Sequence, residues 1–492
     1  MNEITFYFSG HEYEYEVRNA LRVFDLNIDY KIKSFAELEN NVALGISSVL
    51  EERDNLFYSK ACLYFGNRIL DSSEFCSNEL ILENESEKKI KKTLVIKSIH
   101  KVLKNYYCYV PDYGILTGVR VIKIMLAARK NNKTDSEIAN ILKSTYEVTD
   151  AKIKLLWDIL KIEEKYIHEE QNRENYNLYV GIPFCPSKCT YCSFTSYINS
   201  KEEIINNYVE TLVYEIKETI EMALKKGLKL NTIYVGGGTP SVLNENQINT
   251  IFSAIGNYYD LSSVNEVTFE AGRPDTMSED KLNCLKQNHV SRISINPQTM
   301  NEKTLELIGR KHSAKDIEDK YNLARRIGFS SINMDIILGL PGENVQDVKN
   351  TIREIVKLKP ENITVHALAY KKHSQLGREI QEKSKDCDII KDMHKAVYEE
   401  CISSGYKPYY MYRQKNIKGN SENIGFTLEN KESIYNMVII EETETILACG
   451  LGASSKIKTE EGKHVPLINF KSLEEYKARI DEIINKKKKQ LE

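Results

Sequence analysis

The chain has 492 residues, and its 68 lysines and arginines nearly balance its 71 aspartates and glutamates, for a formal net charge of −3. At about 150 residues per domain, this length predicts two to four folded units. The near-neutral charge is unlike the basic composition typical of nucleic-acid-binding domains, so we expect no nucleic-acid partner. We also expect no membrane span and no signal peptide, because no apolar run approaches about 18 residues and the first residues lack a basic segment before an apolar one.

These exclusions predict a cytoplasmic protein, and in that compartment cysteines are thiols or metal ligands rather than disulfides. The chain has 10 cysteines. We expect the seven scattered ones to be buried, because a free cysteine behaves as a small hydrophobic residue. These seven are Cys62, Cys76, Cys108, Cys284, Cys387, Cys401 and Cys449.

The first part of the chain, residues 1–172, predicts an α+β extension. Strands are expected at 4–8 and 62–65, where β-branched and aromatic residues end near glycines. From about Lys88 the pattern is helical. Thr134 and Glu137 form a capping-box pattern at the start of one helix of a predicted pair, 135–144 and 150–166.

Residues 173–385 alternate strand and helix patterns, which predicts an α/β fold with a parallel sheet, either open or curled into a partial barrel. In such sheets the ligand lies at the carboxyl ends of the strands. The predicted strands are 178–180, 232–235, 266–270, 292–296, 331–337 and 362–369. The predicted helices are 202–225, 245–257, 278–287, 303–309, 314–327 and 345–358.

Residues 386–492 predict a small C-terminal domain that covers the substrate. A helix to Ser404 is followed by a tyrosine-rich irregular stretch, 406–426, and then by a hairpin around Gly450-Leu451-Gly452. A charged helical tail ends the chain. We expect the lysine run 486–489 within it to be solvated and frayed.

Three further cysteines lie together directly after the first barrel strand. Cys185, Cys189 and Cys192 place three thiols within eight residues. Three thiolates at this spacing converge on one soft metal centre. Zinc would need a fourth ligand, and no fourth cysteine or histidine follows closely. A redox dithiol would need only two cysteines and would leave the third thiol unexplained. A [4Fe–4S] cluster held by three thiolates leaves one iron free to bind a small chelating molecule.

The spacing Cys-x-x-x-Cys-x-Tyr-Cys resembles the signature of the radical S-adenosylmethionine (SAM) superfamily, and the lead-in 179–184 resembles that of its oxygen-independent coproporphyrinogen oxidase group. The resemblance implies a partial (β/α)6 barrel, a [4Fe–4S] cluster on Cys185, Cys189 and Cys192, and S-adenosyl-L-methionine on the free iron. One-electron reduction would then release a 5′-deoxyadenosyl radical. Tyr179 and Tyr191 inherit cofactor-binding roles.

Gly236-Gly237-Gly238-Thr239-Pro240 follows the second barrel strand. Consecutive glycines let a ligand approach the backbone and leave amides free for a carboxylate. By resemblance, Gly237, Gly238 and Thr239 bind the methionine part of the cofactor.

Polar residues near later strand ends complete the predicted site. Glu270 ends the third strand, and Asp335 stands in an otherwise apolar strand, where a carboxylate is costly unless it is paired or binds a ligand. By resemblance, the spacing from Gln298 through Arg310 and Asp335 to Ala369 matches cofactor-binding positions of the coproporphyrinogen oxidase group.

The resemblance extends to the HemZ-type coproporphyrinogen dehydrogenases through the stretches 114–120, 270–275 and 409–425. The last stretch carries Arg413, Lys415 and Lys418 among tyrosines, which fits either a tetrapyrrole with propionates or a solvated loop.

The implied reaction is oxidative decarboxylation of coproporphyrinogen III to protoporphyrinogen IX, with a low-potential electron donor such as a flavodoxin or ferredoxin. One position departs from the oxidase pattern, because Phe194 stands where those enzymes carry a fourth cysteine. The related haem chaperones also have phenylalanine there. A haem-delivery protein and radical chemistry on another tetrapyrrole therefore remain as alternatives.

Overall fold

The computed structural model describes the chain except for residues 1–2, 25–28, 39–41, 83–84, 119, 169–171, 195, 370–386, 415–420 and 460–461. Its contacts divide the chain into two compact units. The first comprises Met1–Asp158, Ile380–Cys387 and Arg413–Asn420, and the second comprises Ile159–Glu379, Asp388–Tyr412 and Ser421–Glu492. The division of the chain into 1–172, 173–385 and 386–492 stays a prediction.

The first unit contains a five-stranded sheet in the order β2-β1-β3-β4-β5, in which β1 runs parallel to β2 and β3 and the other pairs are antiparallel. Its strands are β1 (Glu3–Ser9), β2 (Asp29–Ser34), β3 (Val42–Arg53), β4 (Leu56–Gly66) and β5 (Arg68–Cys76). The sequence predicted only β1 and the end of β4. The edge strands β2 and β5 escaped prediction because few of their side chains are buried, so their apolar alternation is weak.

Helices of the first unit are α1 (Glu14–Phe24), α2 (Glu87–Tyr107), α3 (Ile122–Lys130), α4 (Asp135–Asn140) and the start of α5 (Asp150–Glu163). Apolar residues of α1 and α2, among them Leu21 and Ile99, pack on Ile4 and Phe6 of the sheet. The predicted capping box is confirmed: Glu137 N donates to Thr134 Oγ1, and Thr134 N donates to Glu137 Oε2. The helix that was predicted to reach residue 144 continues as a π-helix, Ile141–Thr145.

The second unit is built on an eleven-stranded sheet in the order β14-β15-β13-β12-β11-β10-β9-β6-β16-β17-β18. The six strands β6 and β9 to β13 are parallel, as predicted for a (β/α)6 arrangement, and β16 adds a further parallel strand beside β6. The parallel strands are β6 (Asn175–Ile182), β9 (Lys229–Gly237), β10 (Glu266–Glu270), β11 (Arg292–Ser294), β12 (Ile332–Leu338), β13 (Asn362–Ala367) and β16 (Thr445–Cys449). A small separate pair is formed by β7 (Phe184–Cys185) and β8 (Tyr197–Ile198).

Helices connect these strands, and three of them keep the predicted bounds: α6 (Glu202–Lys225), α10 (Ala314–Ile327) and α11 (Val345–Leu358). The others are α7 (Glu245–Gly256), α8 (Glu279–Gln287), α9 (Glu302–Leu307), α12 (Cys387–Ser403), α13 (Ile434–Glu441), α14 (Leu473–Ala478) and α15 (Ile480–Leu491). The side chains of the parallel strands are nearly continuously buried, as expected for a sheet covered on both faces. None of the helices in the described ranges is long and apolar enough to cross a bilayer.

The C-terminal stretch corrects two expectations. Residues 406–426 are not simply irregular, because β14 (Lys407–Tyr412) and β15 (Asn423–Thr427) pair with each other and β15 pairs with β13. Lys487 is fully buried and not solvated, because α15 carries it against Glu215 of α6. The predicted hairpin is confirmed as β16 with the antiparallel β17 (Ser454–Lys458), which is followed by β18 (His464–Ile468).

The scattered cysteines agree with the expected burial in five cases: Cys62, Cys76, Cys284, Cys401 and Cys449 are buried. Cys108 is exposed, and that expectation was wrong. It lies at the C-cap of α2 in the left-handed conformation, at the exposed end of the helix. The side chain of Cys387 lies outside the described residues.

Candidate functional site

The three neighbouring cysteines lie on a loop that leaves the carboxyl end of β6, where a parallel sheet binds its ligands. We call residues 185–192 the cysteine loop. Cys189 is buried, and Cys185 and Cys192 are partly exposed. The described residues hold no group of three or more His, Cys, Asp or Glu side chains arranged for a single metal ion.

The glycine turn after β9 lies directly against this loop. Gly238 N donates to Ile182 O at 2.8 Å, and a Cβ added to Gly238 would stand 2.6 Å from Phe184 O and 3.0 Å from Cys185 Sγ. Thr239 Oγ1 lies 3.4 Å from the same sulfur. The turn therefore needs glycine because a side chain would collide with the cysteine loop.

Gly237 has a φ of +114°, which glycine adopts without strain. A Cβ there would stand 3.3 Å from the Tyr179 hydroxyl and 3.1 Å from Ile182 O. Tyr179 and the glycine turn, which the sequence assigned to the same cofactor, are thus neighbours in the structure.

Glu270, at the end of β10, reaches back to the same turn. Gly237 N donates to Glu270 Oε2 at 3.0 Å, and the Tyr234 hydroxyl donates to Oε1 at 2.5 Å. Burial, with a smaller contribution from the nearby Asp335 carboxylate, raises the pKa of Glu270 to about 7 even though the two hydrogen bonds and His366 lower it. The site therefore holds a carboxyl group that titrates near neutral pH.

Asp335 lies in the middle of β12. Asn333 Nδ2 donates to Asp335 Oδ1 at 2.7 Å, and His366 Nε2 lies 3.8 Å from Oδ2. Burial favours the protonated form of Asp335. The hydrogen bonds from His366 and Asn333, together with the charge of His366, outweigh this effect of burial, so the pKa of Asp335 is lowered. Hydrogen bonds and charge within the protein thus offset part of the free-energy cost of burying this carboxylate in a strand.

Gln298 lies beside Asp335. Its N–H donates to Asp335 O at 2.9 Å, and its carbonyl accepts from Ile337 N at 2.9 Å, so the two segments form a parallel bridge. Gln298 is in the left-handed region, with a φ of 65°, and is buried. Ala369 is partly buried two residues after β13.

Arg310 contacts the second half of the cysteine loop. Its Nη2 donates to the Tyr191 hydroxyl at 3.0 Å, and its Nη1 donates to Gly272 O at 3.3 Å. Its Nε is buried and has no hydrogen-bond partner among the described residues. The Tyr191 ring packs on the apolar cluster of Leu305, Ile308, Ile337, Leu340 and Leu368, which lies near the ends of α9, β12 and β13.

The sequence analysis missed two polar residues of this region, Tyr234 and His366. Both belong to strands whose ends it had singled out. Tyr234 lies two residues before Gly236, and His366 lies two residues after Thr364. Alternate residues of a strand share a face, so this spacing is the signal that could have placed Tyr234 and His366 in the site.

Arg413, which the sequence placed near a tetrapyrrole or in a solvated loop, is buried within the first unit. Its Nη1 donates to Leu116 O at 2.6 Å, and its guanidinium lies over the Tyr113 ring at 4.5 Å. The solvated-loop alternative is therefore wrong for this side chain. Lys415 and Lys418 lie outside the described residues.

Comparison with known proteins identifies the family. The chain is 36% identical over 415 residues to the oxygen-independent coproporphyrinogen-III oxidase-like protein HemZ of Bacillus subtilis, with 83% of each chain covered. The Radical SAM superfamily profile matches residues 179–355, which contain the cysteine loop, the glycine turn and Asp335. The chain belongs to the radical SAM superfamily.

A further relative and a solved structure also match this chain. The haem chaperone HemW of Lactococcus lactis is 30% identical over 320 residues, covering 64% of this chain and 78% of its own. The solved structure of coproporphyrinogen III oxidase (HemN) of Escherichia coli superposes with a TM-score of 0.52 at 22% identity, covering 65% of this chain and 72% of its own. The match to the HemN structure supports the predicted fold class.

Membership in the radical SAM superfamily implies a [4Fe–4S] cluster and S-adenosyl-L-methionine, and the site fits both. Three thiols on one loop suit an iron–sulfur cluster, because each thiolate binds a different iron and the three need not meet at a single ion. The glycine turn lies directly against Cys185, so the backbone that is predicted to bind the cofactor is next to one of the thiols. The buried Arg310 Nε offers an unused donor for an anionic group. The individual cofactor contacts stay predictions.

Proposed function

We propose that this radical SAM protein carries out the oxygen-independent oxidative decarboxylation of coproporphyrinogen III to protoporphyrinogen IX. The observation that carries the proposal is the 36% identity, over 83% of both chains, to a coproporphyrinogen-III oxidase-like protein. Two propionate side chains become vinyl groups. Each loses carbon dioxide, one hydrogen atom from the carbon beside the ring, and one electron that passes to an acceptor.

The cluster and S-adenosyl-L-methionine, when bound, supply the radical that takes the hydrogen atom. The protein's own residues bind and orient. Cys185, Cys189 and Cys192 hold the cluster. The residues that contact S-adenosyl-L-methionine in this proposal are Tyr179, Tyr191, Gly237, Gly238, Thr239, Glu270, Gln298, Arg310, Asp335 and Ala369. A low-potential donor such as a flavodoxin or ferredoxin delivers the reducing electron, and the protein works in the cytoplasm.

Glu270 has a specific part in this proposal. Its Oε2 already accepts from Gly237 N, so the carboxylate fixes the turn that faces the cysteine loop. In its ionised form it attracts an ammonium or accepts hydrogen bonds from ribose hydroxyls. Because its pKa is about 7, ionised and neutral forms are both populated near neutral pH.

A haem-delivery function is the second candidate, and Phe194 favours it. This side chain stands in the place of the oxidases' fourth cysteine and is 64% exposed. An exposed aromatic ring next to the cluster loop suits contact with a flat tetrapyrrole. The haem chaperone HemW of Lactococcus lactis is also among the relatives.

An anaerobic assay separates the two candidates. The reconstituted protein is incubated with a reductant, S-adenosyl-L-methionine and coproporphyrinogen III, and the vinyl products are measured. The proposal predicts protoporphyrinogen IX together with 5′-deoxyadenosine, and neither from a Cys185→Ala, Cys189→Ala and Cys192→Ala variant. Absence of vinyl product together with stoichiometric haem uptake would overturn the decarboxylase and support haem delivery.

A further inference from the structure

A buried arginine after β10 contacts the first half of the cysteine loop. Arg273, only 3% exposed, donates from Nη1 to Ser187 Oγ at 2.8 Å and to Ser187 O at 3.3 Å. The other edge of its guanidinium is bound by Asp275, with Nε 3.1 Å from Oδ1 and Nη2 3.1 Å from Oδ2. One planar group therefore joins the loop to the segment after β10.

Arg273 is itself fixed by its surroundings. Thr276 N and Thr276 Oγ1 both donate to Arg273 O, at 3.1 Å and 2.9 Å, within a short 3-10 turn, Pro274–Thr276. The bidentate pair with Asp275 then sets the plane of the guanidinium. A side chain held in this way loses little further freedom when it grips the loop.

The loop needs such a grip because its own backbone supplies little order between the first two cysteines. Cys185 O accepts from Asn199 N at the start of the loop, and Cys192 N donates to Cys189 O and Thr190 N to Ile308 O in its second half. In the described structure residues 186–188 make no backbone–backbone hydrogen bond. Ser187 is midway between Cys185 and Cys189. Fixing Ser187 therefore limits the relative positions of these two thiols.

We propose that Arg273 and Asp275 form a clamp on Ser187 that positions Cys185 and Cys189 for the cluster. Arg273 is a positioning residue, because its hydrogen bonds go to the loop and not to a reacting atom. Preorganised ligands avoid the cost of ordering the loop when the cluster binds, and they slow its loss. The inference rests on the cluster of the radical SAM superfamily and not on the proposed decarboxylation.

The test compares cluster retention in Arg273→Met and in Arg325→Met. Arg325 is the control because it is a partly buried arginine that, like Arg273, is paired with a carboxylate, here Glu361 at 2.8 Å. Each protein is reconstituted anaerobically without substrate, and loss of the cluster's visible absorbance to an iron chelator is timed. A charge-assisted hydrogen bond corresponds to about a tenfold change in an equilibrium constant. We expect about tenfold faster loss for Arg273→Met and a rate within about twofold of the wild type for Arg325→Met.

Two further measurements and two further variants separate positioning from general destabilisation. The EPR spectrum of the reduced cluster is expected to broaden in Arg273→Met while the melting temperatures of the two apoproteins fall equally. Arg273→Lys is expected to restore retention only in part, because an ammonium lacks the planar fork. Ser187→Ala removes one of the two acceptors, and about threefold faster loss is expected.

Wild-type retention in Arg273→Met would overturn the clamp. If that variant does not fold, wild-type retention in Ser187→Ala overturns it instead. Because no tetrapyrrole is present in this experiment, a result that overturns the clamp does not bear on the proposed decarboxylation. A failed decarboxylation assay likewise leaves the clamp standing.

Discussion

The Lys487 ammonium lies 2.7 Å from Glu215 Oε1, and neither side chain is exposed to solvent. Glu215 also accepts from the Tyr476 hydroxyl, Asn469 Nδ2 and Gly450 N. One carboxylate of α6 thus joins the C-terminal helix α15 to the turn after β16. A Cβ on Gly450 would stand 2.5 Å from Gly181 O. The turn after β16 therefore packs closely against the end of β6, just before the cysteine loop.

The first prediction concerns this buried ion pair. Lys487→Met leaves the Glu215 carboxylate buried without its cation, so we expect the free energy of unfolding to fall by about 3–5 kcal/mol. Lys488→Met, in the exposed next position, is the control and is expected within about 0.5 kcal/mol of the wild type. Denaturant unfolding of the apoproteins measures both. Equal stability of the two variants would mean that the pair contributes nothing.

The second prediction concerns the glycine turn. In Gly238→Ala the new Cβ would meet Phe184 O at 2.6 Å, and a backbone atom cannot move aside as the end of a flexible side chain can. We expect a loss of about 1–3 kcal/mol in stability and reduced iron uptake on reconstitution. Gly256→Ala serves as the control, because its nearest atom would be 3.9 Å away. Normal iron uptake by Gly238→Ala would contradict the close approach of turn and loop.

The third prediction concerns the pH dependence set by Glu270. Its pKa is raised to about 7, whereas the unfolded chain titrates near the ordinary 4.5. Between these values the native state binds more protons than the unfolded state, so the free energy of unfolding falls as pH rises. Wild-type stability relative to Glu270→Gln is therefore expected to fall by about 2–3 kcal/mol from pH 4.5 to 7.5.

Denaturant midpoints at several pH values measure this difference, with the exposed Glu279→Gln as the control. A wild-type curve parallel to that of Glu270→Gln would show that the carboxyl group ionises normally in the folded apoprotein.

The fourth prediction concerns the ligands of the cluster. We expect the variant Cys185→Ala, Cys189→Ala and Cys192→Ala to lose its brown colour and its reductive cleavage of S-adenosyl-L-methionine, because no thiolates remain to hold the iron. Removal of Cys284, a buried cysteine outside the loop, is expected to leave both intact. Iron and sulfide content after anaerobic reconstitution is the measurement. Colour and cleavage that persist in the triple variant would refute the site.

Local patterns in the sequence were enough to predict the six strands β6 and β9 to β13 and the cysteine loop. The helices α6, α10 and α11 have the predicted ends, since capping residues and apolar spacing act within a few residues. The cysteine spacing is likewise a property of one loop. The edge strands β2 and β5 were not predicted, because few of their side chains are buried and their apolar alternation is weak. The strand β15 was not predicted either, because it is stabilised by pairing with β13, which is distant in the sequence.

The sequence by itself thus determined the family, the strands β6 and β9 to β13, and the presence of three thiols on one loop, all of which depend on residue types at short spacing. Only the tertiary structure decided that Lys487 is buried, that Arg273 holds Ser187, and that Tyr234 and Gly237 share the Glu270 carboxylate. These contacts join residues between 33 and 272 positions apart. Burial and hydrogen bonding at such separations follow from how the elements pack, and no local pattern carries that information.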